Sequence, residues 1–316
     1  MSRIVIALGG NALQRDGEAS AEAQIRVAEE TARQLTALIK EGHEVVVVHG
    51  NGPQVGSIIL HEEAINTDAT PTLPIDTCVA MSQGSIGYWL QLAIGNELRR
   101  AGIDTSVATM VTQSLVRADD DAFADPSKPV GPFYRDEAEA RTAAEGRDNF
   151  VVKEDAGRGW RRVVASPKPV TIVEAPLIAQ LAQQGAIVIA AGGGGVPVVR
   201  RDDGSLRGVE AVVDKDFAAE KLAEAINADM LLILTAVDCV TINYNTPQEI
   251  PLGRLTVTET QNYIADGQFA PGSMLPKVEA SLQFVRSGEA RTSLITSPER
   301  AYDAVHHRAG TIIAYM

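Results

Sequence analysis

Apolar residues in this chain fall into short unbroken runs, separated by stretches in which apolar and polar positions alternate at helical spacing. "RIVIALGGNAL" has the pattern of a buried strand and ends in Gly9-Gly10-Asn11. "SAEAQIRVAEETARQLTALIKEG" then sets Ile25, Ala28, Ala32, Leu35 and Leu38 on one helical face, and Gly42 stops the helix. "HEVVVVHGNGPQVGSIILHEEA" predicts a second strand, a glycine turn and a helix. "TCVAMSQGSIGYWLQLAIGNELRRAG" predicts a further helix, and "DTSVATMVTQSLV" one more strand. "GAIVIAAGGGGVPVV" reads as a strand ending in four glycines, and "ADMLLILTAVDCVTINY" as a strand followed by a polar turn. "RTSLITSPERAYDAVHHRAGTIIAYM" closes with two strands around a helix. Continuous apolar strands alternating with helices predict an open, mostly parallel sheet covered by helices. Ligands of such sheets bind at the carboxyl ends of the strands.

The pattern breaks between Asp119 and about Lys168. This part is rich in Pro, Gly, Arg, Asp and Glu and has no long apolar run. "DPSKPVGPFY" reads as a loop, "RDEAEARTAAEG" as a short polar helix and "FVVKEDAGRGWRRVVASPKP" as a hairpin. A structureless connection of that length is unusual in a compact domain, so the reading is a small surface subdomain inserted into a single domain spanning 1–316.

Composition narrows the class. Hydrophobic residues make up 45% of the 316 and aromatics only 4%, so the core is mostly Ala, Val, Ile and Leu. The formal net charge of −13 argues against a nucleic-acid surface, which needs clustered Lys and Arg. An anionic substrate would have to be met by a local cationic site against the overall field. The acidic excess fits a salt-adapted protein and an ordinary acidic enzyme equally well. Cys78 and Cys239 are too few for a disulfide framework or a four-ligand zinc site. With no signal peptide before the first strand and no apolar run of membrane-spanning length, the expectation is a soluble cytoplasmic protein without a membrane partner.

Three glycine turns, "ALGGN", "VHGNG" and "AAGGGG", each follow an apolar strand. Such a turn lets backbone N–H groups approach an anion, and the next helix adds a favourable dipole. One would mean little; three at strand ends indicate a phosphate site. The usual phosphate signatures are missing. There is no GxxxxGK[ST], and "HGNGPQVG" is one residue too long for the dinucleotide fingerprint. His49 abuts a glycine turn and could be a ligand or base, but packing is the commoner role for a histidine at a strand end.

Lysine is scarce: Lys40, Lys128, Lys153, Lys168, Lys215, Lys221 and Lys277 are the full set. Lys215 stands between Asp214 and Asp216, where an apolar run meets a helix, and either aspartate could cap that helix. Lys277 follows Pro276 near another helix start. A cation in a first helical turn opposes the helix dipole, so each could be an ordinary exposed lysine or one placed there for function.

The ordered set "ALGGNAL", "VVHGNGPQVG", "SKPVGPFY", "AAGGGGVPV", "GVEAVVDKDFAAEKLA", "LTAVDCVTINY" and "FAPGSMLPKVEA" resembles carbamate kinase, of the amino acid kinase superfamily. The resemblance runs over essentially the whole chain, insertion included. It implies a three-layer αβα sandwich, a homodimer and reversible phosphoryl transfer between ATP and carbamate, with Mg²⁺ carried mainly by the nucleotide phosphates and no metal site on the protein. It also implies ATP formation from carbamoyl phosphate and ADP in arginine breakdown, although an enzyme making carbamoyl phosphate would have the same site.

Site roles follow from the resemblance. Gly9, Gly10 and Asn11 would hold phosphates; Gly50, Asn51 and Gly52 the carbamate or carbamoyl end. Lys215 and Lys277 would contact the transferring and nucleotide phosphates, held by Asp216, with Asp214 as its rival. Thr235, Asp238 and Tyr244 would border the base or ribose, and Gly272, Ser273 and Met274 would lie along the nucleotide. Lys128, on the inserted segment, would reach the phosphate as that segment closes.

Overall fold

The computed structural model describes residues 2–10, 20–145, 150–155 and 159–315. In chain order the first elements are β1 (Arg3–Leu8), α1 (Ala21–Lys40), β2 (Glu44–His49), α2 (Gln54–Ala64), α3 (Ile75–Arg100), β3 (Val107–Thr109) and β4 (Gln113–Val116). The next segment carries β5 (Lys128–Tyr134), α4 (Glu137–Ala144), β6 (Val151–Glu154) and β7 (Trp160–Val164). Then come β8 (Pro169–Ile172), α5 (Ala175–Gln183), β9 (Ile187–Ile189), β10 (Val196–Arg200), β11 (Leu206–Gly208), α6 (Lys215–Ala225) and β12 (Met230–Leu234). The last are β13 (Val240–Ile242), β14 (Ile250–Leu252), β15 (Arg254–Thr256), α7 (Val257–Ala265), α8 (Met274–Arg286), β16 (Thr292–Thr296), α9 (Ala301–Val305) and β17 (Thr311–Ala314).

The main sheet has eight strands in the order β15-β17-β16-β12-β1-β2-β9-β3, and all its pairs are parallel except β16–β17. Alternate residues of the central strands supply two cores. Val5, Ala7, Val46, Val48, Leu231 and Ile233 pack with α5, α6 and α8 on one face. Ile4, Ile6, Leu8, Val45, Val47 and Leu232 pack with α1, α3 and α9 on the other. The fold is thus a three-layer αβα sandwich with an open, mostly parallel sheet, and its double-faced burial explains why the strands read as unbroken apolar runs. None of the described helices is long and apolar enough to cross a membrane.

Three readings need correction. "DTSVATMVTQSLV" is two strands, β3 in the main sheet and β4 in a second sheet ordered β11-β10-β4-β8. The break falls at Thr112, whose backbone N–H donates to Gln83 Oε1 at 2.9 Å and whose carbonyl accepts from Gln83 Nε2 at 3.1 Å. A side chain of α3 thus holds the crossing backbone, whose Thr112 carbonyl also accepts from the Val196 N–H at 2.8 Å. "GAIVIAAGGGGVPVV" likewise divides into β9, a tight turn at Gly192–Gly194, and β10. "DPSKPVGPFY" contains strand β5 rather than only loop; it pairs with β7 in a three-stranded sheet β5-β7-β6. The pairing tolerates its prolines because the register shifts between Val130 and Tyr134, around Gly131 at φ +71°.

Helix α6 lies in the core, with Phe217, Ala218, Ala219, Leu222 and Ala223 buried, and it also buries Glu220. Among the described residues Glu220 Oε2 has no hydrogen-bond partner, and Lys221 Nζ is 3.4 Å from Oε1. Burial pushes the Glu220 carboxyl up to about 7, with Lys221 opposing. The folded chain therefore keeps this proton up to about pH 7, whereas the unfolded chain releases it near 4.5. Stability should fall between those values and then level off, by about 2–3 kcal/mol between pH 5 and pH 8. Glu220→Met should remove that slope in urea unfolding; an unchanged slope would show that Glu220 is ionised in the fold.

Candidate active site

The adjacent strands β12, β1, β2 and β9 end side by side, and three of their carboxyl ends run into glycine. At Gly9 the N–H donates to Leu234 O at 2.9 Å, and a Cβ there would sit 2.6 Å from that oxygen. Gly10 is exposed with open space around it, and Asn11 lies outside the described residues. A Cβ on Gly50 would meet the Lys215 Cδ at 3.2 Å, so the second turn lies against the lysine stem. Asn51 links the second and third turns. Its Nδ2 donates to Gly193 O at 3.2 Å, and its Oδ1 accepts from Ser82 Oγ at 2.5 Å. Gly52 is exposed at φ +50°.

The third turn lies outside the site residues expected from the sequence. Gly193, Gly194 and Gly195 all have positive φ. Added Cβ atoms would lie 2.0 Å from Asn51 Oδ1 at Gly193 and 2.2 Å from Val213 O at Gly194. Close backbone approach on two sides accounts for the run of glycines, and four in a row was the signal that could have placed Gly193 and Gly194 in the site.

His49 is packing, not chemistry. Its Nδ1–H donates to Gly50 O at 2.7 Å, and a Cβ on Gly192 would be 2.3 Å from Nε2. Burial lowers its pKa to about 4, against the raising effect of the Gly50 carbonyl, so the ring is neutral at pH 7.

Val213 leads into α6, whose N-cap is Asp214. Asp214 Oδ1 accepts from the Asp216 N–H at 2.9 Å, which settles which aspartate caps the helix. Its other oxygen, Oδ2, accepts from Lys128 Nζ at 2.6 Å. Burial alone would raise the Asp214 pKa, but Lys128 and Lys215 outweigh it and bring it down to about 2. Asp216, in the first turn of the helix, has only 3% of its side chain exposed. It accepts from Lys215 Nζ at 2.5 Å through Oδ1 and from Lys277 Nζ at 3.0 Å through Oδ2. Lys277 comes from α8, packed beside α6. Neither lysine is an exposed helix-start residue, since 12% of the Lys215 side chain and 15% of the Lys277 side chain reach solvent. Burial lowers the Lys215 pKa, and the neighbouring Asp216 carboxylate opposes that.

Five of the sequence-derived residues thus cluster as two ion-pair groups, Lys128–Asp214 and Lys215–Asp216–Lys277, joined by the hydrogen bond from the Asp216 N–H to Asp214. Formally the cluster carries three positive and two negative charges. It borders the glycine turns, where backbone N–H groups and helix starts favour anions. Chemically it can hold a polyanion and stabilise charge that develops on it.

The residues expected around the nucleotide are differently placed. The Thr235 N–H donates to Thr296 O, and Asp238 accepts from Ser297 Oγ at 2.5 Å. Asp238 lines a cavity of about 330 Å³ with Cys239, Leu252 and Arg300. Tyr244 is 66% exposed, between β13 and β14. Gly272 (φ +71°) and Ser273 lead into α8, which Met274 begins; Ser273 makes no side-chain cap, unlike Asp214 on α6.

Comparison with known proteins identifies the family. The family model described as "Amino acid kinase family" matches residues 2–296. A carbamate kinase of Latilactobacillus sakei is 50% identical over 312 residues, covering 98% of both chains. One from Thermococcus kodakarensis is also 50% identical, again covering 98% of each. Among solved structures, carbamate kinase from Giardia lamblia bound to AMP-PNP superposes with a TM-score of 0.92 at 41% identity, covering 100% of this chain and 99% of its own. A UMP kinase from Bacillus anthracis, 13% identical with a TM-score of 0.53, shares the fold. The chain belongs to the amino acid kinase family and, within it, to the carbamate kinases.

Proposed function

We propose that this enzyme transfers a phosphoryl group reversibly between ATP and carbamate, working mainly toward ATP from carbamoyl phosphate and ADP in cytoplasmic arginine breakdown. The observation that carries the reading is the buried Asp216 carboxylate holding Lys215 and Lys277 side by side at the strand ends. In that direction a terminal ADP oxygen attacks the phosphorus of carbamoyl phosphate, the new P–O bond forms, and carbamate leaves with the electrons of the old one. In reverse, carbamate is already an anionic oxygen nucleophile. Neither direction needs a general base, and the buried His49, its Nδ1 committed to Gly50 O, supplies none. The barrier lies in bringing anions together and stabilising charge on the transferring group, which fixed cations and backbone N–H groups do.

Lys215 and Lys277 contact the transferring and nucleotide phosphates. Gly9, Gly10 and Asn11 hold phosphates, while Gly50, Asn51 and Gly52 hold the carbamoyl end. Thr235, Asp238 and Tyr244 border the base or ribose, and Gly272, Ser273 and Met274 run along the nucleotide. Asp214 and Asp216 are already paired with lysines, so the residues present suit a Mg²⁺ ion brought by the nucleotide phosphates. That ion supplies further charge neutralisation on ATP or ADP. The segment from Asp119 to Lys168 acts as a lid carrying Lys128. Support for this comes from β5, where Gly131 lies against Gly56 of α2 and Lys128 reaches α6.

The reading extends to a homodimer. Strand β3 ends the main sheet with one open edge. Exposed Tyr88 and Leu92 of α3 flank it on one face; Val173 and Leu177, at α5, lie toward the other. An open edge with apolar flanks on both sides suits a second copy of the same chain.

The direct test supplies carbamoyl phosphate, ADP and Mg²⁺ and measures ATP; no ATP would overturn the reading. Lys215→Ala and Lys277→Ala should each lower kcat by about 10²–10³. Asp216→Asn should cut activity strongly while leaving Asp214 to cap α6, so helix content should persist by circular dichroism. Near-normal kcat in all three variants would sink the assignment. Leu92→Asp should halve the mass seen by light scattering; a mass already that of a monomer in the parent chain would reject the dimer.

A further inference from the structure

Asp214 divides its carboxylate between two tasks. Oδ1 caps α6 through the Asp216 N–H at 2.9 Å, and Oδ2 holds the Lys128 ammonium at 2.6 Å. The first contact fixes the aspartate to the first turn of a buried helix. The second reaches across to the start of β5, on the inserted segment. Of the two partners, therefore, Lys128 is the one with freedom to leave. Its side chain is 33% exposed, against 17% for Asp214.

The insert rests on the core at several further points. Gly131 in β5 stands against Gly56 of α2, where an added Cβ would be 3.2 Å from Gly131 N and Cα. Arg162 in β7 pairs with Glu63 of α2 at 3.3 Å. The Lys168 ammonium lies 4.9 Å above the ring of Phe217, in the first turn of α6. None of these contacts involves a group that the reading above assigns to substrate. The Lys128–Asp214 pair is different, because one of its members is an ammonium that the reading above assigns to substrate. An anion reaching that ammonium must share it with, or take it from, a carboxylate already in charge-assisted contact.

Releasing Lys128 costs the helix nothing at its cap, because capping uses the other oxygen. Nor does it strand the carboxylate, since Lys215 next in sequence also stabilises the Asp214 charge. The contact is therefore built to open without unfolding anything around it.

We infer that Asp214 is a latch, a positioning residue that occupies Lys128 in the unliganded enzyme and gives it up to the phosphate of carbamoyl phosphate. The inference rests on the assignment of Lys128 to that phosphate. A latch withholds part of the binding energy, because the competent state is only a fraction of the unliganded population. Breaking it should therefore tighten carbamoyl phosphate binding and leave ADP alone.

The test is a double-mutant cycle on KM for both substrates. Asp214→Asn preserves the cap, as Asn serves there as well as Asp. It should lower KM for carbamoyl phosphate by about two- to fivefold, the range a partly exposed ion pair can withhold, with KM for ADP unchanged. Lys128→Ala should raise KM for carbamoyl phosphate, and in that background Asp214→Asn should have no further effect. The unliganded Asp214→Asn variant should also exchange amide hydrogens in β5 faster than the parent, while α6 keeps its protection. Asp214→Ser, which also caps, guards against an effect peculiar to the amide. If Asp214→Asn lowers KM equally without Lys128, the carboxylate merely repels the substrate and the latch is wrong. If it raises KM, Asp214 orients Lys128 for the substrate, and the latch is wrong again. If Lys128→Ala leaves KM for carbamoyl phosphate untouched, the assignment of Lys128 fails first and takes the latch with it.

Discussion

Everything at the mouth of this sheet depends on one buried carboxylate. Two ammonium groups close enough to share a phosphate repel each other strongly in a medium of low dielectric constant. Asp216 lies between Lys215 and Lys277 and turns that repulsion into two attractions. Without it, two cations on neighbouring helices would repel each other and turn outward to water. Removing one partner of such a buried cluster typically costs about 3–5 kcal/mol, because the others are left uncompensated. The arrangement makes sense only if a ligand gains from it, since apolar side chains in its place would serve stability at least as well.

The glycine turns meet a related constraint. Gly9 lies against Leu234 O, Gly194 against Val213 O, and Gly193 against Asn51. In each case a methyl group would overlap an atom the fold has already placed. The strands can therefore end close together, and α6 can start directly behind the third turn. That proximity brings Lys215 against Gly50, so charge and backbone N–H groups act in one small volume. The cost is backbone freedom in the unfolded chain, which is greatest for glycine. The site is built by subtraction of side chains as much as by their placement.

Much of this was legible in the sequence because the relevant signals are local. Double-faced burial leaves unbroken apolar runs, so "IVIAL", "EVVVV" and "MLLIL" read directly as strands of a parallel sheet. The scarcity of lysine drew notice to Lys215 and Lys277 before any contact was known. What stayed hidden was pairing across distance. No local signal tells whether Asp214 or Asp216 caps α6, because both have the side chain a cap requires; the fold decides by turning Asp216 inward. The break at Thr112 was also invisible, since its partner Gln83 lies 29 residues away on α3. Strand β5 was masked by Pro129 and Gly131, residues that normally signal a turn. The Glu220 carboxyl gave no sign either, because an acidic residue in a helix usually faces water.

The lysine–aspartate cluster also explains how an acidic molecule can handle acidic substrates. A net charge of −13 repels anions at long range, yet that field is screened by salt within roughly 10 Å. Three lysines against two aspartates leave one formal positive charge at the strand ends, reinforced by helix starts and by N–H groups that carry no counter-ion. Because the excess is small, the site is not simply a cation trap that would hold every phosphate that entered. Lys215 and Lys277 are fixed and partly buried, whereas Lys128 is tethered to a segment that rests on the core through separable contacts. On the proposed reading, binding strength and release are set by different lysines, the fixed pair acting on the transferring group and the third deciding how long the anion stays. A reversible enzyme with two anionic substrates needs that separation, because tighter holding by the fixed pair alone would slow product release in one direction as much as it helped binding in the other.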